Sequence, residues 1–124
     1  MKHDNPYAAL ERLFHEPARL ALVSALCDTR EGRTFNDLKG VCDLTDGNLN
    51  RHLKVLQEGG VVESHRLATT SRPVTIVRLT DEGRGQFLAY LQALEEVLHK
   101  AAEALETRDS RTAGLLSPGS YAKL

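Results

Sequence analysis

Apolar positions recur with a helical period in five stretches of the chain, and two short runs between the fourth and the fifth are rich in β-branched residues. In the first stretch, Pro6 to Phe14, residues Tyr7, Leu10, Leu13 and Phe14 make a short amphipathic segment. In the second, Pro17 to Asp28, proline is tolerated in the first turn, and Leu20, Val23, Leu26 and Cys27 form the inner side. Cys27 is therefore read as a small buried hydrophobe. The third opens on Thr34, which can cap a helix with Asp37 at its third position, and Phe35, Leu38 and Val41 give it a buried side. Only Cys42, Asp43 and Leu44 separate it from Thr45. So short a connection forces two short helices to pack at a steep angle, the helix-turn-helix arrangement.

The fourth stretch, Thr45 to Glu58, carries the most chemistry. Thr45 is a good N-cap, and Asp46 places an acid where the helix dipole favours one. Leu49, Leu53 and Leu56 recur at i, i+4 and i+7 as one apolar stripe. The opposite face carries Gly47, Asn50, Arg51 and Lys54, with Asn48 on its shoulder, and no acid interrupts it before Glu58. Asn and Arg can form paired hydrogen bonds to adenine and guanine edges in a major groove, and Gly47 lets backbone approach a phosphate. The same cations also admit reading as an ordinary solvated helix face. His52 lies at the edge of the apolar stripe and is read as structural. Gly59 and Gly60 end the helix.

The β-branched runs, Val61 to Arg66 and Val74 to Leu79, flank a polar loop from Leu67 to Pro73 and predict a hairpin. Arg33 and Thr34 can add a third, very short strand. The hairpin tip holds Thr69, Thr70, Ser71 and Arg72, with His65, Arg66 and Arg78 beside it. Such hydroxyls and guanidinium groups suit phosphate contact or insertion into a minor groove.

The fifth stretch starts at Thr80, Asp81 and Glu82, a good capped start, and keeps Phe87, Tyr90, Leu91, Leu94, Val97, Leu98, Ala101 and Leu105 on one stripe. Roughly 26 residues at 1.5 Å each span about 39 Å, more than a small helical core covers. Its far end needs another surface, and a second copy of the chain is the simplest candidate. Tyr7, Leu10 and Phe14 are available to pack against it, which assigns them to the dimer interface with Tyr90, Leu94, Val97, Leu98, Ala101 and Leu105. From Thr107 to Leu124 the periodicity stops, and a flexible tail is expected after a domain spanning 1–106.

Composition changes this picture little. A length of 124 residues suits one domain and not two. The net charge of −1 argues against a strongly basic nucleic-acid binder, but the acids concentrate late in the chain. Glu95, Glu96, Glu103, Glu106 and Asp109 face only Lys100 and Arg108 there. Two cysteines, with no secretory signal and no apolar run of membrane-spanning length, point to a reducing cytoplasm and to no membrane partner. No Gly-rich phosphate loop, His-Glu-x-x-His, Cys-x-x-Cys or nucleophile elbow is present, so no catalytic residues, metal site or cofactor are expected.

The run FNDLKGVCDLTDGNLNRHLKVLQEGGVVESHR, followed by RPVTIVRLTDEGRGQFLAYLQALEEVL, resembles a family of small bacterial winged-helix transcriptional regulators. These are related to the multiple-antibiotic-resistance (MarR) and arsenical-resistance (ArsR) groups. The most specific parts are LTDGNLNRHLKVLQEGG, the element Arg72, Pro73, Val74, Thr75, and LTDEG at Leu79 to Gly83. The resemblance implies a dimer that binds double-stranded DNA with its third helix in the major groove. The Cys-x-Cys box of metal-sensing arsenical-resistance members is missing, since Cys42 stands alone and Cys27 lies far upstream.

The expectation is thus a mainly α fold with a small β-hairpin, a winged helix-turn-helix with a long C-terminal dimerisation helix, in a sequence-specific homodimeric regulator. Thr45, Gly47, Asn48, Asn50, Arg51 and Lys54 would address the major groove, and Arg66, Thr70, Ser71 and Arg72 the backbone or minor groove. The competing reading is a winged-helix module that docks on a protein and does not bind DNA specifically.

Overall fold

The computed structural model describes residues 6–68 and 72–108. In chain order these form α1 (Pro6–Phe14), α2 (Pro17–Leu26), β1 (Arg33–Thr34), α3 (Phe35–Cys42), α4 (Asp46–Glu58), β2 (Val62–Ala68), β3 (Pro73–Leu79) and α5 (Asp81–Arg108). The strands make one antiparallel sheet in the order β1-β3-β2, with Val62 opposite Leu79, Glu63 opposite Arg78 and Arg66 opposite Thr75. This is a winged helix fold followed by a long C-terminal helix.

Local chemistry sets the helix ends. Glu16 caps α2 by accepting from Arg19 N at 2.9 Å, ahead of Pro17 in the first turn. Thr34 Oγ1 accepts from Asp37 N at 3.0 Å to start α3, and Thr45 Oγ1 accepts from Asn48 N at 3.1 Å to start α4. Between them Asp43 takes the left-handed conformation at φ 56°, one that aspartate tolerates better than most residues, and turns the chain from α3 into α4. Thr80 Oγ1 accepts from Gly83 N at 2.8 Å and donates to the Gly60 carbonyl at 2.6 Å, so the start of α5 is tied to the end of α4.

The described residues divide into two compact units, the first ending at Tyr90 and the second starting at Leu91. In the first, Leu22, Val23 and Leu26 of α2, Leu38 of α3, Leu49 and Leu56 of α4, and Val61 and Val77 beside them lose all solvent contact. Each such side chain contributes about 1.5–3 kcal/mol of hydrophobic stabilisation. Phe14 and Tyr90 are equally buried, with ring centroids 5.5 Å apart, and Phe87 packs edge-on to Phe14 at 5.1 Å. Tyr7 stacks on Tyr90 at 6.1 Å. Phe14 and Tyr90, expected at a contact between copies, are therefore core residues of the chain itself and have no surface left to offer a partner.

Other expectations need correction. Val41 is 57% exposed: it falls in the last turn of a helix only eight residues long, past the reach of the core. Cys27 is exposed, because α2 ends at Leu26 and Cys27 is its C-cap. The hairpin strands reach Ala68 and start at Pro73, so the predicted loop is shorter than expected. Thr107 and Arg108 continue α5 where the tail was expected to begin; 109–124 lie outside the described residues.

In the second unit α5 leaves Leu91, Val97, Leu98 and Leu105 exposed, while Leu94 is half-buried and Ala101 exposed. Leu91, Leu98 and Leu105 recur every seven residues, with Leu94 and Ala101 at the intervening positions, which is the spacing of a helix-pairing seam. No described helix is long and apolar enough to cross a membrane.

Candidate nucleic-acid interface

Thr45, Gly47, Asn48, Asn50, Arg51 and Lys54 are all exposed on α4, while Leu49, His52, Leu53 and Leu56 of the same helix are buried. The two faces follow from the 3.6-residue period: the leucine stripe is drawn into the core, and the polar residues opposite are left in water. Arg51 Nη2 donates to Asn48 Oδ1 at 3.0 Å, one turn earlier on the helix. Asp46, the acid at the helix start, is ion-paired to Lys39 of α3, Nζ to Oδ1 at 2.7 Å. The pairing offsets the negative charge that would otherwise stand beside the basic residues.

The sheet continues this surface. Gln57 Nε2, near the end of α4, donates to Ser64 Oγ on β2 at 2.8 Å. Successive strand residues alternate between faces, so Arg66, two residues beyond Ser64, shares the face that meets α4. Arg66 is exposed, as is Arg72 at the start of the second strand. Thr70 and Ser71 lie outside the described residues. Arg78 stands differently. It projects from the other face, opposite Glu63, and its Nε donates to Glu63 Oε2 at 2.6 Å. That bond, with His65 Nε2 3.5 Å from the same oxygen, holds the Glu63 carboxyl below the usual range. Arg78 is thus engaged at the base of the wing and not directed with Arg66.

Beneath α4 lies a polar hub. His52, only 4% exposed, has Nδ1 3.2 Å from Arg19 Nη1. Arginine can only donate, so Nδ1 is the acceptor and the ring is neutral. Arg19 also donates through Nε to the Leu13 carbonyl at 2.8 Å and through Nη2 to the Arg12 carbonyl at 3.0 Å. One guanidinium fork therefore ties the end of α1 to α4. Burial holds His52 below its ordinary range, against the pull of Glu16 Oε1 at 3.9 Å, with the Arg51 and Arg19 charges acting in the same direction as burial. The sequence marked His52 as structural; Arg19, Gln57 and Ser64 were not singled out. Their only local signal is a polar residue beside an apolar stripe, and their partners come from other elements.

Neither thiol is activated: partial desolvation raises both, Cys42 in its half-buried place and Cys27 through a sulfur turned back on the Val23 carbonyl at 3.3 Å although the residue as a whole is exposed. Among the described residues no group of three or more His, Cys, Asp or Glu is placed to hold a metal ion.

A family model described as "Winged helix DNA-binding domain" matches residues 18–98. The chain is 38% identical over 80 residues to an uncharacterized protein of Methanocaldococcus jannaschii, a match covering 64% of this chain and 86% of that protein. A transcriptional regulator homologue of Pyrococcus horikoshii superposes with a TM-score of 0.69 at 28% identity, over 77% of this chain and 96% of that one. The homodimeric winged helix-turn-helix DNA-binding domain of a possible ArsR-family regulator of Mycobacterium bovis shares the fold, with a TM-score of 0.55 at 19% identity over 76% and 83% of the two chains. An ArsR family regulator and a possible regulator of the MarR family from Enterococcus faecalis share it too, as do a transcriptional repressor and the MepR protein of S. aureus, both solved with DNA. With α3, α4 and the wing all inside the matched span, the chain belongs to the winged helix DNA-binding domain family.

Proposed function

We propose that this protein is a sequence-specific, double-stranded DNA-binding transcriptional regulator that acts as a homodimer. The observation that carries the reading is the exposed face of α4, where Asn48, Asn50, Arg51 and Lys54 stand together and Asp46, the acid at its leading end, is paired with Lys39. Thr45 and Gly47 lie at its leading end for phosphate contact, and Arg66 and Arg72 extend it along the wing. Thr70 and Ser71, next to Arg72 in sequence, join the same backbone or minor-groove contact. Two copies are needed because a single helix reads only a few base pairs. The homodimeric Mycobacterium bovis neighbour and the DNA-bound neighbours support both parts of the reading. Leu94, Val97, Leu98, Ala101 and Leu105 would form the seam between copies, and Tyr7 and Leu10 are assigned to the contact between copies as well.

A symmetric dimer calls for half-sites about one helical turn, roughly 34–36 Å, apart in a near-palindrome. The test is selection from a random duplex pool followed by sequencing. Fluorescence anisotropy of the winner and a scrambled control across a salt series then measures the preference. A palindromic winner strongly preferred over the scramble supports the reading. No enrichment, with weak binding to every duplex that salt abolishes, favours instead a winged-helix module that docks on a protein.

A further inference from the structure

We infer that Asn48 acts on DNA through Arg51, the two side chains forming one guanine-reading unit, while Asn50 is the asparagine of the same helix left unengaged to read adenine. The inference rests on the DNA-binding reading above and specifies how its helix divides the work.

Hydrogen-bond accounting on α4 leads there. Thr45 Oγ1 accepts from the backbone N–H of Asn48 at 3.1 Å, which anchors the Asn48 backbone in the capped first turn. Asn48 Oδ1 in turn accepts from Arg51 Nη2 at 3.0 Å. A free arginine samples many rotamers, and ordering it on a base costs conformational entropy. Here a neutral side chain one turn away already restrains the guanidinium, leaving it other N–H donors for the O6 and N7 acceptors of a guanine.

The same bond limits Asn48. Reading adenine in a paired fashion needs the amide oxygen to accept from N6 and the amide nitrogen to donate to N7. One Oδ1 lone pair remains, but the bond from Arg51 holds the amide turned toward the guanidinium, so presenting both halves of the adenine pattern would require Asn48 to reorient and give that bond up. Asn50 is exposed and makes no side-chain hydrogen bond among the described residues, so it keeps both halves of the adenine pattern. At about 100° per residue, Asn48 and Arg51 lie on one flank of the exposed face, and Asn50 lies on the other, toward Gln57 and the wing. The two readers therefore address different base pairs.

The test compares base preferences, position by position, for the wild-type chain and for Arg51→Ala, Asn48→Ala, Asn48→Asp, Asn50→Ala and the Asn48→Ala/Arg51→Ala double variant, all by selection and sequencing. Arg51→Ala is expected to remove a guanine preference of about fivefold to 150-fold at one position of each half-site. Asn48→Ala lowers the preference at that same position by about two- to tenfold. The double variant is no worse there than Arg51→Ala, and Asn48→Asp, which keeps the acceptor oxygen, retains the guanine preference. Asn50→Ala removes an adenine preference elsewhere. Thermal unfolding separates these effects from folding, since all three residues are exposed. Loss of an adenine preference in Asn48→Ala, or additive losses in the double variant, overturns the inference and leaves the regulator reading standing. Failure of the wild-type chain to select any site overturns both.

Discussion

Arg19 donates through Nη1 to Nδ1 of His52 at 3.2 Å, a contact between helix α2 and the buried side of α4. It requires a neutral imidazole, because a protonated Nδ1 would turn an N–H toward the guanidinium. Burial depresses the His52 proton affinity first, and the Arg51 and Arg19 charges add to it against Glu16. The unfolded chain therefore binds a proton that the folded chain refuses, between the depressed value and the ordinary histidine value of about 6.5. Stability from this source is complete above about pH 6.5 and declines as pH falls toward the folded value. Urea midpoints measured from pH 7.5 to pH 5.5 should decline in the wild-type chain, with a flatter decline in His52→Gln. Equal slopes in the two proteins would refute the hub as an acid-sensitive element. Glu16 and Glu63, both held low, lose their contributions only below the ordinary carboxylate range. Their effect is separated from that of His52 on the pH axis.

Two glycines of α5 should respond to alanine with opposite sign. A Cβ on Gly83 would run into the Val61 carbonyl oxygen, and that oxygen is held by Thr80 N at 3.0 Å and Thr80 Oγ1 at 3.2 Å. The backbone cannot give way without losing the cap of α5, so Gly83→Ala should cost about 1–3 kcal/mol or more. A Cβ on Gly85, two residues later and exposed, meets nothing within 4 Å. Gly85→Ala should stabilise by about 0.5–1 kcal/mol through helix propensity alone. Thermal denaturation of the two variants beside the wild-type chain checks both signs.

These contacts mark the limit of what the chain discloses when read as a string. The caps at Thr34, Thr45 and Thr80 and the leucine stripe of α4 were legible because each involves residues within a turn or two, where periodicity acts directly. The stripe on α5 was legible as apolar, but not what covers it. Periodicity cannot tell that Tyr90 meets Phe14 and Tyr7 of its own chain while Leu98 stays exposed. Hairpin register was not legible either, since it depends on how the strands pair across the turn. The Glu63 to Arg78 pairing that diverts Arg78 follows from that register. The helix-to-wing bond from Gln57 to Ser64 and the reach of Arg19 to His52 join separate elements, and no local pattern encodes them.

The different situations of Arg66 and Arg78 predict different salt behaviour. Arg66 shares the sheet face of Ser64 and is exposed, whereas Arg78 is bonded to Glu63 on the opposite face. If Arg66 neutralises one phosphate, Arg66→Ala should reduce the slope of log K against log salt by about 0.9 on cognate and random duplexes alike. Arg78→Ala should leave that slope unchanged. Anisotropy titrations between 50 and 200 mM salt, concentrations of the order at which such slopes are read, decide the matter. A reduced slope for Arg78→Ala would reassign the wing's phosphate contact.

The seam on α5 predicts how the copies associate. Leu98 is 57% exposed and Leu105 likewise 57%, seven residues further along, so neither is needed for the chain's own core. Leu98→Asp should therefore leave thermal unfolding of the winged-helix unit almost unchanged. By symmetry the substitution acts twice in a dimer, and burying a leucine contributes about 1.5–3 kcal/mol on each side, so dimer dissociation should rise more than about a hundredfold. Sedimentation at micromolar concentration is expected to give a dimer mass for the wild-type chain and a monomer mass for Leu98→Asp. DNA affinity should fall with it, because one recognition helix loses the help of the second. A wild-type chain that sediments as a monomer would remove the dimer from the proposed function. A variant that stays dimeric would move the interface off this stripe.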